Sequence, residues 1–182
     1  MRLGTYGITT VHEGLDQPYL YRLAGEISEN IFVWVLVSLG LEVIHFRPET
    51  PHFDLMVLDP AKTMFEKGVA LISVKSRESR GRLQIKQKHF ESLKKQKINC
   101  ESLGIDVYIC IAFYHPRRVS EITYYLFPLD ILEKERTHRS LSLSKKKADQ
   151  ISHKYSERVL RFSDDWAQPR CLNSKLHKGA KP

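Results

Sequence analysis

Two apolar runs, each carrying one charge, constrain this chain more than any other feature. Phe53-Asp54-Leu55-Met56-Val57-Leu58 comes first. Val69-Ala70-Leu71-Ile72-Ser73-Val74-Lys75 follows after a short polar stretch, Asp59 to Gly68. Such runs read as strands, and Asp and Lys are disfavoured in buried strands unless they are paired or hold a ligand. Consecutive strands with a short polar connection form a hairpin. That hairpin brings Asp54 and Lys75 together at one end of a sheet. An aspartate to hold a divalent cation, beside a lysine to steer a phosphate or a nucleophilic water, is what metal-dependent phosphodiester hydrolysis needs.

The rest of the chain bounds this reading. Its 182 residues suit one domain with an added tail, and 42% hydrophobic residues supply a core. A net charge of +8 suggests a polyanionic partner, nucleic acid before a membrane surface. Cys100, Cys110 and Cys171 are scattered, with no CxxC pair, and read as free thiols in a reducing compartment. The longest apolar stretch, Ile31 to Leu39, is too short to span a bilayer and lacks signal-peptide flanks. The expectation is a cytoplasmic protein, or one of a DNA-containing compartment, that is not secreted and has no membrane partner. No Walker loop or GxGxxG is present, so nucleotide-driven chemistry is not expected.

Periodicity supplies the framework. Leu23, Ile27, Ile31, Trp34, Val35 and Leu39 recur at three and four, predicting a helix from about Leu20 to Leu39 with Gly40 as its C-cap. Leu41 to Phe46 reads as a strand, and Pro48 and Pro51 break the chain before Asp54. Leu83, Lys86, Phe90, Leu93 and Lys97 share one helical stripe, predicting a helix over Leu83 to Lys97. Asp106 to Phe113 and Ile122 to Phe127 are strands, and from Asp130 onward the pattern is helical and very polar. The sum is an α/β sandwich around a mixed sheet.

A helix carrying Glu, a strand carrying Asp, a strand ending in x-x-Lys and a further helix resemble the restriction-endonuclease-like nuclease superfamily, whose motif is written PD-(D/E)xK. Locally the text looks most like the archaeal Holliday junction resolvases. The segments that carry the likeness are Gly25 to Ile31, Phe53-Asp54-Leu55, Ile72 to Arg77 and Gly81 to Lys86, within a match from about Leu20 to Phe127. The resemblance implies a restriction-endonuclease-like sandwich with a central mixed sheet flanked by helices. With composition and periodicity outside that match, the expected division is an N-terminal segment (1–19), a nuclease-like core (20–130), a helical C-terminal extension (131–172) and a disordered tail (173–182).

Residue by residue, the resemblance makes Asp54, Lys75 and Glu29 catalytic, with Asp54 and Glu29 as metal ligands and Glu26 as the alternative to Glu29. Where the motif has an acid two positions before the lysine, this chain has Ser73. A subgroup of restriction enzymes has the same Ser-x-Lys exchange, with the glutamate moved onto the following helix. Glu91 is the matching acid here, ahead of Glu78, and Ser73 is left to offer a hydroxyl. The implied ion is Mg²⁺, with Mn²⁺ as a substitute.

Between Lys75 and Lys97 there are nine Lys or Arg against two Glu. Beside a phosphodiester-cleaving site this is where a DNA backbone lies, on Arg77, Arg80, Arg82, Lys86 and Lys88, with Gln84 and Gln87 able to reach bases or phosphates. Lys145-Lys146-Lys147 is a second basic cluster, and His52 lies near Asp54. The expected function is a Mg²⁺-dependent DNA endonuclease acting on duplex or branched DNA as a homo-oligomer, a dimer or tetramer. The alternative is an inactive DNA-binding protein that keeps the fold. An RNA-binding reading draws on charge alone and lacks aromatic RNP patterns.

Overall fold

The computed structural model describes residues 17–46, 52–115, 118–136 and 141–163. Residues 1–16, the tail expected at 173–182, and Cys171 lie outside the described residues.

Helix α1 (Gln17–Ser38) ends as Gly40 suggests. Gly40 has φ +81, its N–H donates to the Val37 carbonyl (2.9 Å), and the Leu41 N–H donates to the Leu36 carbonyl (3.2 Å). This paired closure satisfies the last carbonyls and seats Leu41 in the core against Leu36. The helix buries Ser28, Phe32, Val35 and Leu36, while Trp34 is 74% exposed. The stripe read from sequence was therefore rotated: Trp34 points away from the sheet.

Six strands follow in one sheet of order β1-β2-β3-β5-β6-β8. They are β1 (Glu42–His45), β2 (Leu55–Leu58), β3 (Val69–Glu78), β5 (Asp106–His115), β6 (Arg118–Pro128) and β8 (Leu160–Phe162). β2 and β3 form the expected antiparallel hairpin, with Leu55 opposite Ile72. β3 and β5 are parallel, with Lys75 opposite Ile111; every other pairing in this sheet is antiparallel. Parallel neighbours require a crossover. It is made by β4 (Arg82–Ile85) and α2 (Gln87–Ser102).

Each face of the sheet has its own core. On one side Ile72, Val74, Cys110 and Tyr124 pack with Phe32 and Leu36 of α1. On the other, Leu71, Ile109, Ile111 and Tyr125 pack with Phe90 and Leu93 of α2. That second core also takes in α3 (Leu129–Lys134), β7 (Leu141–Ser144) and α4 (Lys145–Lys154). The result is a three-layer sandwich with a mixed central sheet.

Two expectations need correction. The helix expected over Leu83 to Lys97 starts only at Gln87, because Lys86 is extended (φ −64, ψ 146) and Arg82–Ile85 is a strand. That strand pairs with β7 in a separate two-stranded sheet, Leu83 opposite Leu143 and Ile85 opposite Leu141. The stretch 131–172, expected to be helical, contains β7 and β8. Burial of alternate leucines in β7 and pairing of β8 to β6 override the polar, helix-like composition there. Among the described residues no helix is long and apolar enough to cross a membrane.

Candidate active site

Asp54 stands just ahead of β2, where its backbone bridges two strands. Its N–H donates to the Ile72 carbonyl and its carbonyl accepts from the Phe46 N–H, both at 2.9 Å. The side chain is fixed as firmly: Oδ2 accepts the Val74 N–H at 2.6 Å and a longer contact from Ser73 Oγ at 3.4 Å. Lys75 Nζ lies 3.7 Å from the same oxygen and donates to the Val74 carbonyl at 3.0 Å. Both side chains keep about a third of their surface in water. Strand alternation puts Ser73 and Lys75 on the face of Leu71, under α2. Ser73 is wholly buried, so its hydroxyl braces Asp54 from beneath.

Glu29 comes from the opposite layer. It sits on α1 one residue after Ser28, whose carbonyl accepts the Tyr124 hydroxyl (2.9 Å), and its carboxylate pairs with His45 at the end of β1. The Cys110 thiol in β5 reports where the two acids lie. Its pKa is pushed well up by burial first, then by the charges of Asp54 and Glu29. The two carboxylates therefore bear on one strand position from neighbouring elements. Glu26 points to water and pairs with Arg22.

Glu91 goes elsewhere. It binds Arg136 at 3.1 Å, and that guanidinium also covers the Phe90 ring. The α2 side chain turned toward Asp54 and Lys75 is His89, two residues earlier and so about 200° around the helix. Burial first, then the Lys75 and His52 charges, lower the His89 pKa, and Asp54 partly opposes them. His89 Nε2 is buried with no hydrogen-bond partner among the described residues. Its neighbour His52 adopts a left-handed backbone (φ +84), unusual for a residue with a side chain, and its Nε2 meets Ser92 Oγ on α2 at 3.0 Å. His52 and Ser92 thus tether the Asp54 segment to α2. His45, His89 and Ser92 were missed from sequence; the signal for the last two was the three-residue spacing on α2, obscured by the wrong helix start.

Of the expected DNA contacts, Arg80, Arg82, Lys86, Lys88, Gln84 and Gln87 are exposed, and Arg77 lies along β3 over Gly81. A groove of about 730 Å³ lies at the other end of the sheet around Asp106, Tyr108, Pro128 and Arg158. Its charges are largely paired, Arg158 with Asp130 and Lys97 with Glu101, and it is remote from Asp54.

The sheet order, the parallel β3–β5 pair and the helix on each face define a restriction-endonuclease-like fold. No protein-family model and no curated protein sequence matches the chain. Among solved structures it is similar to Archaeoglobus fulgidus Hjc, a Holliday junction resolvase from an archaeal hyperthermophile. The match has a TM-score of 0.50 at 19% identity and covers 69% of this chain and 88% of that one.

Proposed function

We propose that this protein is a metal-dependent DNA endonuclease. The observation that carries the reading is Asp54, locked by the Val74 amide and set 3.7 Å from Lys75 within a restriction-endonuclease-like fold. The likeness to a junction resolvase supports DNA as substrate, and the net charge of +8 agrees.

The donors at hand suit a hard cation. Among the described residues no three His, Cys, Asp or Glu side chains gather as a ligand set. Mg²⁺ does not need one, since it keeps several waters and takes one or two carboxylates. Asp54, Glu29 and the Val74 carbonyl would hold it, the carbonyl by yielding its contact with Lys75. Glu91 would join only by leaving Arg136. Such an ion, when bound, offsets charge building on the phosphate and lowers the pKa of water. Lys75 orients the attacking water and stabilises the phosphate oxygens. The Val74 amide keeps Asp54 in one rotamer, and Ser73 closes the floor of the pocket. Cutting both strands takes two such sites, so the working form is a homo-oligomer.

Asp54→Asn and Lys75→Ala should each lower cleavage of plasmid and four-way junction DNA by ~100-fold or more with Mg²⁺ or Mn²⁺. Undiminished cleavage rejects both roles. Buried Ser73 in the acid position favours a second reading, a DNA-binding protein without cleavage. DNA binding combined with no calorimetric uptake of either ion by the wild type would establish that second reading.

A further inference from the structure

The β4–β7 ribbon has two unlike faces. Ile85, Leu141 and Leu143 are buried, with Leu83 packed beside them. Arg82 and Gln84 are exposed on the other face, opposite Ser144 and Ser142 in the register. An outer face that is merely polar would be ordinary for an amphipathic ribbon. This one differs in charge. Residues 79–90 and 141–148 contain no Asp or Glu, and they carry Arg80, Arg82, Lys86, Lys88 and the three lysines of α4's first turn. Several cations elsewhere are tied down, among them Lys94 to Glu133, Lys154 to Glu135 and Arg161 to Asp149. Arg82, Lys86 and Lys88 form no ion pair with any described residue.

We infer that the ribbon reads duplex DNA, Arg82 and Gln84 meeting base edges in the major groove while Lys86, Lys88 and Lys146 take the flanking phosphates. A two-stranded ribbon fits the major groove, and Arg and Gln are the side chains that bind guanine and adenine bidentately there. Four residues of strand span about 13 Å, or roughly four base pairs. Reach is sufficient. Gln84 lies nine residues after Lys75, a chain length of at most ~32 Å and under one duplex turn of ~34 Å. The inference rests on the proposed DNA substrate and deepens it: the enzyme prefers a base sequence rather than a branch.

The test is binding of the full chain, in EDTA, to a library of duplexes with a randomised core, followed by competition with selected and scrambled sites. The wild type should enrich a short motif. Arg82→Ala and Gln84→Ala should each relax one or two positions, lowering discrimination there by ~10-fold or more, and Arg82→Lys should not restore it. Lys88→Ala should weaken all sequences alike and reduce the salt dependence by about one phosphate. No enrichment, preference for a four-way junction regardless of sequence, no duplex binding, or a motif unchanged in both variants overturns the inference. Cleavage is scored separately with Asp54→Asn. Cleavage lost there with an intact motif in the ribbon variants removes only the ribbon's role. A motif that the ribbon variants relax, in a protein whose wild type never cuts, removes only the endonuclease.

Discussion

One backbone amide decides what Asp54 can do. The Val74 N–H donates to Oδ2 at 2.6 Å and holds the carboxylate in place against the buried Ser73 hydroxyl. A single charge inside an otherwise apolar run is a strong local signal, and Asp54 and Lys75 were legible for that reason. His89 was not, because its importance depends on the rotation of α2, which is set by where the helix begins. Its depressed pKa has a measurable consequence. Folding makes His89 harder to protonate, whereas the unfolded chain protonates it near the ordinary 6.5. Unfolding therefore takes up a proton below that pH, and stability drops as pH falls from 6.5 toward the lowered folded value. Urea unfolding at pH 7.5 and 5.5 should show a larger loss for the wild type than for His89→Gln; equal losses would exclude the burial described.

Between β2 and β3 the chain turns around Asp59, a buried carboxylate. Oδ2 accepts the Met64 and Phe65 N–H groups at 2.6 and 2.9 Å, and Oδ1 accepts the Thr63 hydroxyl at 3.2 Å. Burial alone would raise its pKa, but those donors together lower it. Asp59→Ala strands two amides and should cost about 3 kcal/mol in denaturant unfolding, well above the effect of an exposed substitution. The hairpin itself was readable because both strands and their polar connection are contiguous. β4 was not. Leu83 and Ile85 alternate as a strand does, yet Leu83 also falls in register with Phe90 and Leu93 as a helix does. Only pairing with Leu143 and Leu141, some sixty residues away, resolves the two periods, and no local window contains it. β8, three residues long, carries too little pattern to be seen at all.

At the scale of the molecule, late strands complete an early helix. Phe162 of β8 meets Phe32 of α1 edge-on at 6.0 Å, and Phe32 stacks on Tyr124 at 5.0 Å. The C-terminal region thus supports the helix that carries Glu29. Phe162→Ala should lower stability by about 3–4 kcal/mol in thermal or urea melts. Ending the chain at residue 158 uncovers the β6 edge, and size-exclusion chromatography should then find aggregates. A melting curve unchanged by Phe162→Ala would contradict this packing. The crossover from β3 to β5 has a last effect. It places Lys75 and Gln84 nine residues apart on one short run, both ends anchored in packed structure. If the proposed endonuclease reads bases through this ribbon, the two behave as a ruler, and mapped cut ends should all fall at one fixed offset from the selected motif.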